Sequence, residues 1–415
     1  MTESRKVPKL RFPEFSGDWE QRKLKEHCEM FNGDRSSKYP KDSDMVSEGI
    51  PFINAGDLEN GTVNLRSAKH ISKEKYNQLG GAKLREGDIV YCLRGTIGKN
   101  AIISNFDEGT VASSLVAIRP KNIDGRYLFY ILNSDIEYRQ RIVRNEGAAQ
   151  PNLSAKSVSD FVIPLPNLKE QCKISSYFMS VDAIITLHQR KLESLKKVKK
   201  SFLQKMFPKN GEKIPEIRFP EFSGDWEQRK LGDMGSTFTG LSGKCKDDFD
   251  HGDAKYIPYI NIYSNEKIDL NNLKSIEIDQ KQNAVQLGDV FFTTSSETPE
   301  EVGMSSVLTE DLKDTYLNSF CFGYRPSIKF NLNFLAFLLR SPSFRTDMIL
   351  LAQGISRYNI SKNKVMDIKI SIPSLKEQNL IGKFLDNVDA TITLHQRKLE
   401  VLNKLKKAML QNMFV

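Results

Sequence analysis

RFPEFSGDWEQRKL occupies residues 11–24 and recurs, unchanged at all fourteen positions, at residues 218–231. The recurrence continues downstream. LKEQ begins at Leu168 and again at Leu375, and TLHQRKLE begins at Thr186 and again at Thr393, so that all three pairs stand 207 residues apart. Looser matches keep the same offset: Pro51, Ile53 and Asn54 against Pro258, Ile260 and Asn261, and Gly147, Asn152 and Ser154 against Gly354, Asn359 and Ser361. The 415 residues are therefore two tandem copies of one unit. Solenoid repeats run at roughly 20–50 residues, so a copy of this length is expected to carry its own core at ordinary domain size.

Within a copy, the repeated opening places Trp19 with Phe12 and Phe15, and Trp226 with Phe219 and Phe222, among Pro and Gly, which reads as a packed turn rather than a strand. Short runs rich in Val, Ile, Tyr and Phe follow, bounded by turn residues: IPFIN, GDIVYCL and VASSLVAIRP in the first copy, IPYIN, GDVFFTT and LNSFCFGYRP in the second. These are strand signals. Helical periodicity then appears in YLFYILNSDIEYRQRIV and NFLAFLLRSPSFRTDMILL. The order predicts an α+β fold: two tandem pseudo-symmetric mixed α/β domains.

Each copy ends in a long helical pattern. Pro166 and Pro373 stop the preceding strand, Asn167 and Ser374 are N-caps, and Glu170 and Glu377 follow three residues later as in a capping box. Ile174, Phe178, Val181, Ile185, His188, Leu192, Leu195, Lys199, Phe202 and Met206 then recur at spacings of four and three. Adding 207 gives Ile381, Leu385, Val388, Ile392, His395, Leu399, Leu402, Lys406, Met409 and Met413. Such seams are a coiled-coil signal, and two in one chain can satisfy each other. The connector PKNGEKIPEI is too short to return the chain along a helix of roughly 60 Å, at about 1.5 Å per residue, so antiparallel pairing is expected. That pairing puts His188 and His395 near an intrachain pseudo-twofold axis, where they act as polar register-setting positions rather than metal ligands or proton carriers. The expected boundaries are 1–160 and 211–367 for the two globular domains, with 161–210 and 368–415 for the helices.

Composition excludes several classes. With 39% hydrophobic and 27% charged residues the chain is that of a folded globular protein. The start, MTESRKVPKL, has no apolar signal-like core, and no run of eighteen apolar residues occurs. A cytoplasmic, non-membrane protein is expected. Five scattered cysteines offer no CxxC pair, and no metal site is expected. The adenine-methyltransferase motifs NPPY and DPPY are missing, as are GxGxxG, GxxxxGK[ST] and HExxH. GLSGKC at 240–245 has the wrong spacing for a phosphate loop. Asp18, Glu20 and Lys23 have the order of a nuclease motif but lie in the aromatic turn, where packing accounts for them. No catalytic residue is assigned.

The formal charge of +9 is concentrated in the helices: residues 168–209 hold ten Lys or Arg against three acids, and 375–415 seven against four. The globular parts are close to neutral, so contact with a polyanion must come from local loops. Six loops carry the residue types that read base edges or hold phosphates. In the first copy they offer Arg35 and Lys38, then Arg94, Thr96, Lys99 and Asn100, then Gln150 and Asn152. In the second they offer Lys244 and Lys246, then Ser296, then Arg357, Tyr358 and Asn359. The runs KKVKK and LKKAML are solvated or partner-facing helix surface at least as readily as phosphate contacts. Turn and helix segments repeat almost letter for letter whereas these loops differ completely: one scaffold with two different reading heads.

The IPFIN-to-GD spacing, the GDIVYCLRGTIGK block, the PNLS and YNIS segments, and P-x-L-K-E-Q leading into VDA and QRKLE together resemble the DNA-specificity subunit of type I restriction-modification systems, over the whole chain. The second copy departs from the pattern, with TTSSETPEEVGMSS where the first has CLRGTIGKNAII. The resemblance implies two target-recognition domains, each reading one half of a split double-stranded DNA site, and a helix pair that sets the gap and docks two methyltransferase subunits, with restriction subunits joining in the full complex. It implies a non-catalytic subunit without a bound cofactor; S-adenosylmethionine, ATP and Mg belong to the partner subunits. Two other readings stand beside it. One is a nuclease or methylase of unfamiliar design, the other a non-DNA scaffold of duplicated domains.

Overall fold

The computed structural model describes residues 7–104, 106, 108–145 and 152–415. It contains two compact units, residues 1–188 with 398–415 and residues 189–397, so each unit boundary falls inside a long helix. The helices are α1 (Leu168–Lys205) and α2 (Leu375–Met413).

In the first unit an antiparallel sheet has the strand order Cys28–Asn32, Leu115–Pro120, Ile89–Cys92, Asn100–Ile102. A second sheet joins Thr110–Val111, Ile50–Ile53, Lys69–Ile71 and Met45–Val46. The second unit repeats the first sheet with Gly235–Thr239, Cys321–Pro326, Val290–Thr293 and Ser305–Val307. The two helical stretches of the sequence each break in two, at Ser134 and at Ser341, whose hydroxyls cap the helices Asp135–Val143 and Pro342–Leu350.

Three local expectations are corrected. The repeated fourteen residues end in a strand: Glu20–Lys23 pairs antiparallel with Val162–Leu165, and Glu227–Lys230 with Lys369–Ile372. IPYIN does not copy the strand of IPFIN, because Tyr259–Ser264 is helical. Finally, Asn167 and Ser374 do cap α1 and α2, accepting from the amides of Glu170 and Glu377, but the two glutamates do not close a capping box. Glu170 is wholly buried and takes Arg11 bidentately, at 2.7 and 2.8 Å. Glu377 takes Arg218 the same way, at 2.7 and 2.9 Å. The next residue completes the joint. Gln171 and Gln378 accept from the amides of Asp124 and Asn331, which themselves cap the helices Gly125–Ile131 and Leu332–Leu338. The two invariant peptides therefore hold one another, which is a physical reason for both to recur together.

The heptad positions are buried or half-buried throughout, including His188, Leu192, Leu195, Val388, His395, Leu399 and Leu402, and Ile174, Phe178, Val181, Ile185, Ile381, Leu385 and Ile392 are fully in the core. Within each unit the two helices run antiparallel. In the first, Asp182 meets Lys406 at 2.6 Å, and Phe178 stacks on Phe414 with ring centroids 6.0 Å apart. In the second, Asp389 meets Lys199 at 2.8 Å and Phe384 meets Phe202 at 4.8 Å. The ends are equivalent too: Leu10 donates its amide to Asn412 O, as Ile217 does to Lys205 O.

Candidate nucleic-acid interface

In the first unit the strands Cys28–Asn32 and Ile89–Cys92 both pair antiparallel with Leu115–Pro120. They are therefore parallel to each other, and their C-terminal ends emerge where Leu115–Pro120 begins. Three loops meet there. Leu93 donates its amide to Ser114 O at 2.8 Å, Gly33 to Leu115 O at 3.3 Å, and Arg35 Nη2 to Ser113 O at 3.2 Å. The loop that follows the sheet joins them, with Leu153 N donating to Leu93 O at 2.9 Å, and Arg94 forms an antiparallel bridge with Asn152. Arg94 Nε also donates to Asn152 Oδ1 at 3.2 Å. Close approach is built in: a Cβ on Gly33 would stand 2.3 Å from Ala112 O.

This arrangement gathers some of the expected residues and not others. Arg35, Lys38, Arg94 and Thr96 are exposed on the rim and Asn152 is half-buried. Arg35 and Lys38 line a cleft of about 640 Å³ with Asp34, whose carboxylate is held below its usual range by hydrogen bonds from Ser36 first and from the Gly80 and Gly81 amides. Lys99 is half-buried and donates to Ala55 O at 3.0 Å. Asn100 is 5% exposed and its amide is bound to Gly98 O and Leu132 O, so it is not offered to a ligand. Gln150 lies outside the described residues.

The second unit rebuilds the same corner. Leu241 N donates to Leu317 O at 2.7 Å, Thr294 N to Phe320 O at 3.2 Å, and Ile360 N to Thr294 O at 3.0 Å. Ser295 pairs with Asn359 and Ser296 with Tyr358, at the places that Arg94 and Asn152 hold in the first unit. The carbonyl approach recurs as well, since a Cβ on Gly240 would lie 2.0 Å from Asn318 O. Arg357 lines a cleft of about 550 Å³ together with Tyr259, Tyr263 and Glu297, whereas Ser296, at its base, is 7% exposed and spends its hydroxyl on Thr298 O. Arg357, Asn359 and Lys246 are exposed and Tyr358 half-buried. Lys244 is tied to Asp279 at 2.9 Å, a pairing that draws the Asp279 carboxyl down to about 2.

Sequence reasoning missed the residues that set this second rim. Arg340 donates to four backbone carbonyls, of Ser305 (2.7 Å), Ile262 (2.7 Å), Tyr263 (3.1 Å) and Asn265 (3.0 Å), and so fixes the end of the helix that carries Tyr259 and Tyr263. Arg345 holds the carbonyls of Glu300, Val302 and Gly303. Burial lowers the pKa of both guanidinium groups, that of Arg345 to about 10. Phe320 is the counterpart of Ser114 both on the ladder and in the spacing of VASSLVAIRP against LNSFCFGYRP, but an apolar residue in a strand-like run reads as core, and only the structure shows it 61% exposed. Among the described residues no group of three or more His, Cys, Asp or Glu could hold a metal ion, and no helix is long and apolar enough to cross a membrane. Burial pushes the Cys28 and Cys321 thiols up to about 12, far from thiolate chemistry at neutral pH.

The corner thus occurs twice, on the same ladder, with different side chains. The family model for the type I restriction modification DNA specificity domain matches the chain twice, over residues 16–197 and 223–404. The chain belongs to this family. Both repeats are accordingly DNA-specificity domains, and sequence recognition on DNA, rather than a non-DNA scaffold, is the function that membership supports. Relatives of similar length agree. The type I restriction enzyme MjaVIII specificity subunit of Methanocaldococcus jannaschii is 24% identical, across 96% of this chain and 92% of its own. The EcoBI specificity subunit of Escherichia coli is 27% identical over 40% of this chain and 36% of its own. Two solved structures share the fold: the S subunit of the type I system of M. genitalium (TM-score 0.61, 14% identity, 99% of each chain) and a chain from a study of complex assembly and conformational transition in the type I system (TM-score 0.57, 17% identity, 95% of this chain and 97% of that one).

Proposed function

We propose that each unit of this specificity subunit reads one half of a bipartite double-stranded DNA site, the first through the Arg35, Arg94 and Asn152 rim and the second through the Arg357, Tyr358 and Asn359 rim. One observation carries the reading: Arg94–Asn152 and Ser295–Asn359 occupy the same ladder position on the same sheet corner and present different chemistry. Two frames that share one sheet corner and differ in the side chains at its rim are what independent recognition of two sequences requires. The subunit does no chemistry itself. It docks two methyltransferase subunits through α1 and α2, whose length sets the gap between half-sites, and restriction subunits join that core. S-adenosylmethionine, ATP and Mg are held by those partners, and the assembly works in the cytoplasm.

The test is an exchange of residues 25–150 for the corresponding segment of another family member, followed by mapping of methylated bases in cells expressing the complete complex. One half of the methylated motif should change and the other persist. A change in both halves would overturn independent reading. Nuclease or methylase activity of the purified subunit alone would overturn the non-catalytic role.

A further inference from the structure

The two rims differ in charge as well as in shape. In the first unit the stretch from Leu93 to Asn100 carries Arg94 and Lys99 and no acid, and Arg35 reaches the same corner. In the second, the stretch from Thr294 to Glu301 carries Glu297, Glu300 and Glu301 and no Lys or Arg. Glu301 accepts from Tyr263 Oη at 2.5 Å, whereas the Glu297 side chain is exposed on the wall of the cleft beside Ser296 and Arg357. A carboxylate cannot hold a phosphate. Beside DNA it is useful only against a donor, and the donors in the grooves are the exocyclic amino groups of the bases.

The carbonyl that fixes the start of this stretch, bound by Thr294 N, belongs to an exposed aromatic residue, Phe320. Phe320 is 61% exposed although its backbone is fixed three ways: its amide donates to Asn318 Oδ1 at 2.9 Å, and its carbonyl accepts from Thr294 N at 3.2 Å and Thr294 Oγ1 at 2.8 Å. Ile260, on the cleft wall, and Ile355, which precedes Ser356 of that wall, are also largely exposed. A phenyl side chain exposed on a fixed backbone, at the place where the first unit has Ser114, offers an apolar contact surface at this corner. On DNA the matching apolar group is the thymine methyl in the major groove.

We propose that Glu297 and Phe320 are specificity-determining residues of the second unit, Glu297 accepting from an exocyclic amino group and Phe320 packing on a thymine methyl in the major groove. The proposal rests on the reading of these rims as DNA interfaces. It carries a thermodynamic signature. Glu297 repels the phosphates of every sequence and regains that loss only where an amino donor faces it, so it sharpens discrimination by weakening the wrong complexes.

The experiment uses the full complex of this chain with its methyltransferase subunits, carrying Glu297→Gln, Glu297→Ala, Phe320→Leu or Phe320→Ala, with binding to the methylated motif and to random duplex measured across a salt series. Both Glu297 variants should bind random duplex more tightly, and at one position of a single half-site their preference should fall about tenfold. Phe320→Ala should relax a thymine position by about fivefold with random-duplex affinity unchanged, and Phe320→Leu should recover part of it. Wild-type preference in all four variants, given normal motif binding by the unmodified complex, would overturn this inference and leave the DNA reading intact. An unmodified complex that binds no duplex would overturn the reading beneath it.

Discussion

Arg11→Met tests why fourteen residues are held constant in both copies. The substitution removes the guanidinium whose Nε and Nη2 lie 2.7 and 2.8 Å from the two carboxylate oxygens of Glu170. Glu170 has no exposed surface, so among the described residues the stranded carboxylate keeps only the indole N–H of Trp19 at 3.3 Å. Breaking a buried pair by removing one partner costs about 3–5 kcal/mol, a large share of the roughly 5–15 kcal/mol that holds a domain together. In the second unit Arg218 holds Glu377 at 2.7 and 2.9 Å, but the Trp226 indole nitrogen has no hydrogen-bond partner among the described residues. Arg218→Met is therefore expected to cost about 1 kcal/mol more than Arg11→Met, the net worth of one hydrogen bond. Replacing both partners, as in Arg11→Met with Glu170→Leu, should recover most of the loss, because a well-packed apolar pair is often no worse than a buried ion pair. A chain of two units is not a two-state system, so the measurement is native-state hydrogen exchange at the starts of α1 and α2, where local opening free energies are read directly. Single-variant losses below about 1 kcal/mol, or a double variant as damaged as the sum of its singles, would refute the argument.

Three further outcomes follow from the same geometry. Glu137 is buried in the first unit beside Tyr91 Oη and Arg141, and burial is the main cause that raises its pKa above 4.5. An acid whose folded pKa is raised binds its proton preferentially in the folded state, so its contribution is full below the unfolded value near 4.5 and is lost as pH climbs through the folded value. Melting temperature should therefore fall over that rise in the wild type and flatten in Glu137→Gln; equal slopes would contradict this. Arg340→Met should open the helix Tyr259–Ser264 by about 2–3 kcal/mol, charged hydrogen bonds being worth roughly 1.5–3 kcal/mol each, visible as faster exchange at Asn265 and altered recognition of one half-site only. Arg94→Ala and Arg357→Ala should each cost about 1–3 kcal/mol and relax one base position if they contact a guanine edge, or weaken all sequences with a smaller salt slope if they contact phosphate; unchanged affinity and motif would place them away from DNA.

The duplication, the α+β class and both long helices were legible because they rest on identity, strand composition and a seam sustained over five heptads. The bond that joins the invariant peptides was not. Glu170 three residues after Asn167 fits a capping box on spacing alone, and only the tertiary position of Arg11, 159 residues away, shows where the carboxylate goes. IPYIN misled for a related reason. Its residues suit a strand, yet the carbonyls at the end of Tyr259–Ser264 are bound by Arg340, 75 to 78 residues further on, and that tertiary clamp overrides local preference. The rim was half legible: loops were found by composition, but composition cannot tell Asn100, spent on Leu132 O, from Asn152, beside Arg94.

The way the two copies drift in and out of register shows what the scaffold protects. Asn54 and Asn261 stand 207 apart, Asp88 and Asp289 201, Arg119 and Arg325 206, and Asp124 and Asn331 207 again. Six residues are thus lost before the GD turn and regained between it and the capped helix, while the contacts from the GD turn onward stay the same. Asp88 and Asp289 take Arg119 and Arg325 bidentately, and Gln171 and Gln378 take the amides of Asp124 and Asn331. Length changes are confined to the segments that reach the rims or support them. A surface loop tolerates such changes at little entropic cost, each doubling of length adding only about 0.6 kcal/mol, whereas a shift of one residue at Asp88 or Asp124 would strand a buried ion pair or an uncapped helix. That difference in cost is what lets one frame carry an arginine rim in its first copy and an acidic, aromatic rim in its second.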